Sequence, residues 1–269
     1  MYALDFEYDG QLLSNFGFMI CEFDGSYGVD MLETGFNITF DKASRNNGKK
    51  NSLISSHYDE CYTTSFHICK DPNKYDDLKI SSDEYRELVR WLGRSEFLKF
   101  RIINEDDIGC APCYYNASFN FQKITINDIL YGLALTMQTD APFGYGDPYE
   151  NTWEVEAGAT IKFDDQSDEI GLINPEITVV CKATGDLVIT NTSFASSMII
   201  NNCSVGEVIS ISGDAQIITT SFPSHKIFND FNYEFLAIGN NYDNRTNVIS
   251  FSQPCTFTIK YNPIITGII

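Results

Sequence analysis

The sequence predicts a mainly β chain in two parts, with a single α-helix. Three observations carry that reading. Apolar residues alternate with polar ones over many short runs, the period of a half-buried strand. One stretch alone shows the 3.6-residue period of an amphipathic helix. A segment rich in Pro and Gly near residue 145 interrupts the strand pattern, as linkers do. With 269 residues, 43% of them apolar, and 20 Phe beside 15 Tyr, each part has enough material for its own core.

In chain order, the first alternating run is Phe36-Asn-Ile-Thr-Phe40, expected as a half-buried strand. The stretch Asp41-Lys-Ala-Ser-Arg-Asn-Asn-Gly-Lys-Lys-Asn-Ser52 is too polar to bury itself and reads as a long polar loop with a turn at Asn47-Gly48. The helix is predicted over about 82–93. Ser81-Ser-Asp-Glu84 fits a capping box, with Ser81 as N-cap and Glu84 reaching back. Tyr85, Leu88, Val89 and Leu92 then form one apolar stripe, and Gly93 stands where the helix should stop. Strands follow at Leu98–Ile102 and Leu133–Met137.

The segment Asp140-Ala-Pro-Phe-Gly-Tyr-Gly-Asp-Pro148 divides the chain into parts 1–145 and 146–269. The second part offers Ile177–Val180, Val208–Ser212 and Phe257–Tyr261 as strands, with turns at Gly185-Asp186, Ser204-Val-Gly206 and Gly239-Asn-Asn241. Short strands at regular turn spacing, with no helix, suggest a β-sandwich.

The formal charge is −19, from 37 acids and 18 Lys or Arg. That excess excludes nucleic acid and anionic membrane as partners, because both need cations to replace released counterions. No run approaches a membrane-spanning length, and the acidic N-terminus lacks signal-peptide features, so synthesis in a cytosol is expected. Eight Cys are too few for a disulfide scaffold, and most are expected as thiols in the core.

No nucleophile elbow, P-loop, zincin or dinucleotide fingerprint occurs, so no catalytic residue, cofactor or metal is predicted. The three histidines, His57, His67 and His225, are scattered, and His67 reads as structural. Cys110-Ala-Pro-Cys113 is half a zinc pattern. Cys61 and Cys69 are too far apart on one strand to complete it, which leaves free thiols in a loop. Asp164-Asp-Gln-Ser-Asp-Glu169 has oxygens for Ca²⁺ but not the EF-hand spacing, and is expected as a solvated acidic loop. Lys42, Arg45, Lys49 and Lys50 make a basic arm on an acidic chain, a candidate subunit contact beside the plainer reading of a flexible loop.

Several local patterns together resemble the siphophage distal tail proteins. In the first part these are Phe6-Glu-Tyr-Asp-Gly10, Ser14-Asn-Phe-Gly17, Ile20, Trp91-Leu92, Tyr115-Asn-Ala-Ser118 and Asp140-Ala-Pro-Phe143. In the second they are Ile170–Val179, Asp186–Asn191, Gly206–Ile211, Phe235–Asn241 and Phe257–Tyr261. Each is weak alone; their order and spacing carry the likeness. The resemblance implies a belt domain that closes six subunits into a ring, followed by a galectin-like sandwich outside it. It implies a hub at the distal end of a virion tail, assembled in the bacterial cytoplasm. The partners would be further copies of the chain, the tail tube protein, the tape-measure protein and tail-tip hub or receptor-binding proteins. The family offers no catalytic residues to carry over. Phe222–Tyr233 and the Cys110–Cys113 hairpin fall outside the pattern. The competing reading is a carbohydrate-binding sandwich, for which Trp153 is the only tryptophan in the second part and is expected to pack.

Overall fold

The computed structural model describes residues 3–23, 38–45, 50–58, 61–104 and 112–266. The chain divides into two compact units, Met1–Tyr145 with Ile265–Ile269, and Gly146–Ile264.

The first unit contains β1 (Ala3–Tyr8), β2 (Gln11–Leu12), a 3₁₀ turn (Leu13–Phe16), β3 (Phe18–Cys21), β4 (Ile38–Arg45), β5 (Lys50–Tyr58), β6 (Thr63–Lys70), α1 (Ser82–Leu92), β7 (Leu98–Asn104), β8 (Tyr115–Ile126), β9 (Ile129–Thr139) and β10 (Gly144–Tyr145). Seven of these strands form one antiparallel sheet in the order β2-β1-β7-β8-β9-β6-β3. The two-residue turn between β8 and β9, Asn127-Asp128, has both φ positive (50° and 62°), which matches the twist of the strands it joins. The strand alternation buries Phe6, Tyr8, Phe100, Ala117, Phe119, Leu133, Leu135 and Met137 on one face. β3 also lies against β1 and the 3₁₀ turn, so the sheet curls and its short edge strands approach each other.

Helix α1 covers that buried face with Leu88, Trp91 and Leu92. Phe6 and Phe16 both stack on the Trp91 ring, at 5.6 and 4.3 Å, and the indole N–H donates to the Tyr8 carbonyl at 3.0 Å. Both bonds of the capping box form: Ser81 Oγ accepts from Glu84 N, and Glu84 Oε2 accepts from Ser81 N at 2.7 Å. Gly93 ends the helix without turning left-handed; its φ is −82°. Glycine is needed there because a Cβ would sit 2.7 Å from the Val89 carbonyl oxygen, against the ring of Phe121.

The second unit contains β11 (Tyr149–Val155), β12 (Thr160–Asp164), β13 (Gly171–Ile173), β14 (Glu176–Cys181), β15 (Gly185–Asn191), β16 (Ser196–Cys203), β17 (Val208–Ser212), β18 (Ile217–Thr220), α2 (Ile227–Asp230), β19 (Ile238–Asn240), β20 (Thr246–Phe251) and β21 (Cys255–Tyr261). A five-stranded sheet, β11-β21-β14-β17-β18, and a four-stranded sheet, β12-β20-β15-β16, enclose a separate core; β13 and β19 pair beside them. Alternate residues such as Ile177, Val179, Leu187, Ile189, Ile209, Ile211, Phe257 and Ile259 point into it.

Five expectations change. Of the polar stretch at 41–52, expected as a loop, the described residues 41–45 and 50–52 belong instead to β4 and β5, two strands of a ribbon. Its apolar neighbours Ile38 and Phe40 are exposed rather than half-buried. Gly239-Asn-Asn241 is not a turn but buried β19 and a bridge residue; a Cβ on Gly239 would overlap the carbonyl of Gly171 on β13. The sandwich also has one helical turn, α2, inside Phe222–Tyr233. The acidic loop is only partly solvated, because Asp165 and Ser167 are buried.

Candidate functional site

The surface features that could carry assembly begin with the β4–β5 ribbon. It forms a sheet of its own, paired from Ile38↔Tyr58 to Arg45↔Lys50, with an irregularity between Asp41 and Lys42. Asp41 accepts a hydrogen bond from Ser55 Oγ at 2.6 Å and lies 3.7 Å from His57 Nδ1. The ammonium of Lys42 sits 5.6 Å from the centre of the Phe40 ring. Phe40, Leu53 and Ile54 are 50%, 60% and 69% exposed. A two-stranded ribbon is marginal by itself in water. One with bare apolar side chains on it calls for a partner surface.

Of the basic arm, Lys42 stands exposed on β4, and Arg45 and Lys50 are cross-strand partners at the far end of the ribbon. Lys49 lies outside the described residues, as do the Asn47-Gly48 turn and Cys110. The sequence reading missed that the arm is apolar as well as basic. The signal was available in Leu53-Ile54, directly after the polar stretch.

The remaining candidates are occupied by structural work. His67 on β6 meets the Phe23 ring edge-on at 5.9 Å. Asp165 accepts from Ser167 Oγ at 3.0 Å and from Asn240 Nδ2 at 2.8 Å, while Arg245 holds the Ser167 carbonyl at 2.7 Å. Its oxygens therefore fasten the loop to β19, which removes the motive for a Ca²⁺ site. Trp153 stacks on Phe163 and Phe257, at 5.7 and 6.1 Å, as a packing residue. Cys181, Cys203 and Cys255 are buried in the sandwich, whereas Cys61 is exposed and Cys21, Cys69 and Cys113 are half-buried. Burial pushes the Cys255 thiol up to about 12. Among the described residues, no three His, Cys, Asp or Glu side chains gather as metal ligands.

A groove at the start of α1 is lined by Lys70, Lys79, Ser81, Glu84, Tyr85 and Lys123. Its buried Lys70 is already engaged by Glu84 at 2.8 Å, and Lys123 lies 4.2 Å over the Tyr85 ring. No described helix is long and apolar enough to cross a membrane.

Residues 1–141 match the family of phage tail protein N-terminal domains, and residues 143–261 match the phage tail C-terminal domains. The chain belongs to this phage tail protein family. The tail protein is therefore a component of a virion tail. Among solved structures it is similar to the crystal structure of the SPP1 Dit (gp 19.1) protein, titled a paradigm of hub adsorption apparatus in Gram-positive-infecting phages. The TM-score is 0.65 at 11% identity, over 96% of this chain and 98% of that one. At that identity the likeness is one of fold, and it extends over both units. It agrees with the resemblance to distal tail proteins seen in the sequence. No curated protein matches the sequence.

Proposed function

We propose that this tail protein is a ring-forming hub at the distal end of a long tail, joining the tail tube to the tip or baseplate. In this reading the first unit, residues 1–145, is the belt that contacts further copies of the chain. The sandwich, residues 146–269, is galectin-like and meets tail-tip or receptor-binding proteins. The tube and tape-measure proteins are the other neighbours. The protein works by docking, without catalysis.

The observation that carries the proposal is the β4–β5 ribbon, with exposed Phe40, Leu53 and Ile54 beside a basic group on a chain of charge −19. Apolar burial supplies the contact, and Lys42, Arg45, Lys49 and Lys50 offset repulsion between like-charged copies. A closed ring satisfies such a head-to-tail contact without running on into fibres.

Native mass spectrometry and negative-stain microscopy test the assembly. A homohexamer or its partial rings are expected at low salt. Exchanging Lys49 and Lys50 together for Gln should weaken self-association, most strongly at low ionic strength, where unscreened repulsion is greatest. An oligomer mass unaffected by that exchange at low salt would refute the role given to the arm.

The carbohydrate-binding alternative has one observation in its favour, the exposed rings of Phe228 and Tyr233 in the sandwich. Glycan binding by a strictly monomeric protein, abolished by Tyr233→Ala, would favour it over the hub.

A further inference from the structure

The segment Phe222–Tyr233, which the sequence pattern did not explain, guards an open side of the sandwich. β16 is an edge strand of the four-stranded sheet and β18 an edge strand of the five-stranded sheet; α2 packs against both. Phe231 bridges Ile200 in antiparallel fashion. Asn232 then takes up the backbone groups of β16: its N–H donates to the Ile199 carbonyl at 3.1 Å, its Oδ1 accepts from Ile199 N at 3.1 Å, and its Nδ2 donates to the Ser197 carbonyl at 3.1 Å. These are bonds that an added strand would make.

The other end of the segment is fastened by a buried charge cluster. The side chain of His225 is 5% exposed and that of Glu207 0%. Nδ1 of the imidazole lies 2.5 Å from Glu207 Oε1, and Nε2 lies 3.4 Å from Asp230 Oδ2. Glu207 also accepts from Thr220 Oγ1 on β18 at 2.5 Å and from Ser204 N at 2.9 Å, so one carboxylate ties the segment to β18 and to the turn after β16. The titratable groups acting on the ring are Glu207, Asp230 and the Cys203 thiol of β16. None of the three brings positive charge, and two carboxylates flank one ring.

We infer that His225 is the pH-sensitive latch of a strap, residues 222–233, that keeps the β16 edge closed to strands of other chains. The charged ring satisfies both carboxylates. The neutral ring leaves Glu207, which is fully buried, without a counter-charge. The strap's far end is already held at a cost, because Tyr233 has a φ of 58°, kept there while its hydroxyl donates to the Phe228 carbonyl at 2.7 Å. Losing the latch therefore favours release.

The direction with pH follows. Burial disfavours the imidazolium, but Glu207 foremost, with Cys203 and Asp230 after it, outweighs that, and the pKa of His225 stands above its ordinary 6.5. The latch is therefore at full strength below pH 6.5 on the histidine side and weakens as pH rises through the raised value. Glu207 sits below its ordinary 4.5 despite burial, held by Thr220 and His225, so on the acid side the latch weakens as pH falls below 4.5.

NMR titration of the full-length protein between about pH 5.5 and 9, with hydrogen exchange of the Ile199 and Asn232 amides corrected for intrinsic rate, tests this. The His225 ring should titrate above 6.5, and protection of both amides should fall about tenfold or more through that titration. His225→Gln should give weaker protection with no step. Glu207→Gln should lower the midpoint in whatever fraction folds. A His225 ring that titrates at or below 6.5 in the wild type, or amide protection that stays level through its titration, would overturn the latch without reference to ring assembly.

Discussion

Glu84 holds two things at once at the start of α1. One carboxylate oxygen closes the capping box on the Ser81 N–H, and the other pairs with the ammonium of Lys70 on β6 at 2.8 Å. Although partial burial opposes it, Lys70 and Ser81 keep the Glu84 carboxyl below its ordinary 4.5. Its contribution is thus present above that pH and lost as pH falls below it. Ser81→Ala should cost about 1 kcal/mol, the usual value of an N-cap. Glu84→Ala should cost more, about 2 kcal/mol, because it also strands a nearly buried ammonium; the 33% exposure of the Glu84 side chain keeps the loss below that of a fully buried pair. Urea unfolding at neutral pH checks both, and near pH 3 the difference between Glu84→Ala and wild type should shrink. Equal costs at neutral pH would show that Lys70 gains nothing from Glu84. The cap could be read in the sequence because its partners lie three residues apart. Lys70, fourteen residues upstream on another element, could not. The same limit hid Asn240 on β19 with Asp165 in the loop after β12, and His225 with Glu207.

Among the elements, those with strong local periodicity were legible: α1 ends within a residue of the expected span, and β17 spans Val208–Ser212 as predicted. What misled were polarity and glycine taken as signs of loop. In β4 and β5 the polar residues belong to an exposed ribbon, whose strand register no core imposes. In β19 the glycine marks a close backbone approach and not a turn. Two predictions follow from that difference. Gly239→Ala should destabilise the sandwich by about 2 kcal/mol or more, since the added carbon must displace the Gly171 backbone. Replacing Leu53 and Ile54 by Ser should leave stability of the dissociated subunit within about 0.5 kcal/mol, as exposed substitutions do, while reducing self-association. Chemical denaturation at low protein concentration and sedimentation at high concentration separate the two effects. A large loss of subunit stability would mean that the ribbon packs on its own chain.

At the scale of the molecule, the two hydrophobic cores share no residue: one is drawn from Phe6 to Met137, the other from Val155 to Tyr261. Each is large enough to support cooperative folding, and each half carries its own net negative charge. Calorimetry should therefore resolve two unfolding transitions. If copies associate through the ribbon of the first unit, association stabilises that unit by mass action, and only its transition should rise with protein concentration. The sandwich transition should stay fixed over the same range. It should instead respond to pH through His225, falling as pH rises above 6.5. The fragment Gly146–Ile264 identifies which transition is which, since its core is complete without the rest of the chain. A single transition would show that the two units unfold as one, and a sandwich transition that climbs with concentration would move the self-contact out of the ribbon and into the second unit. The hub would then have to be built the other way round, with the sandwich closing the ring.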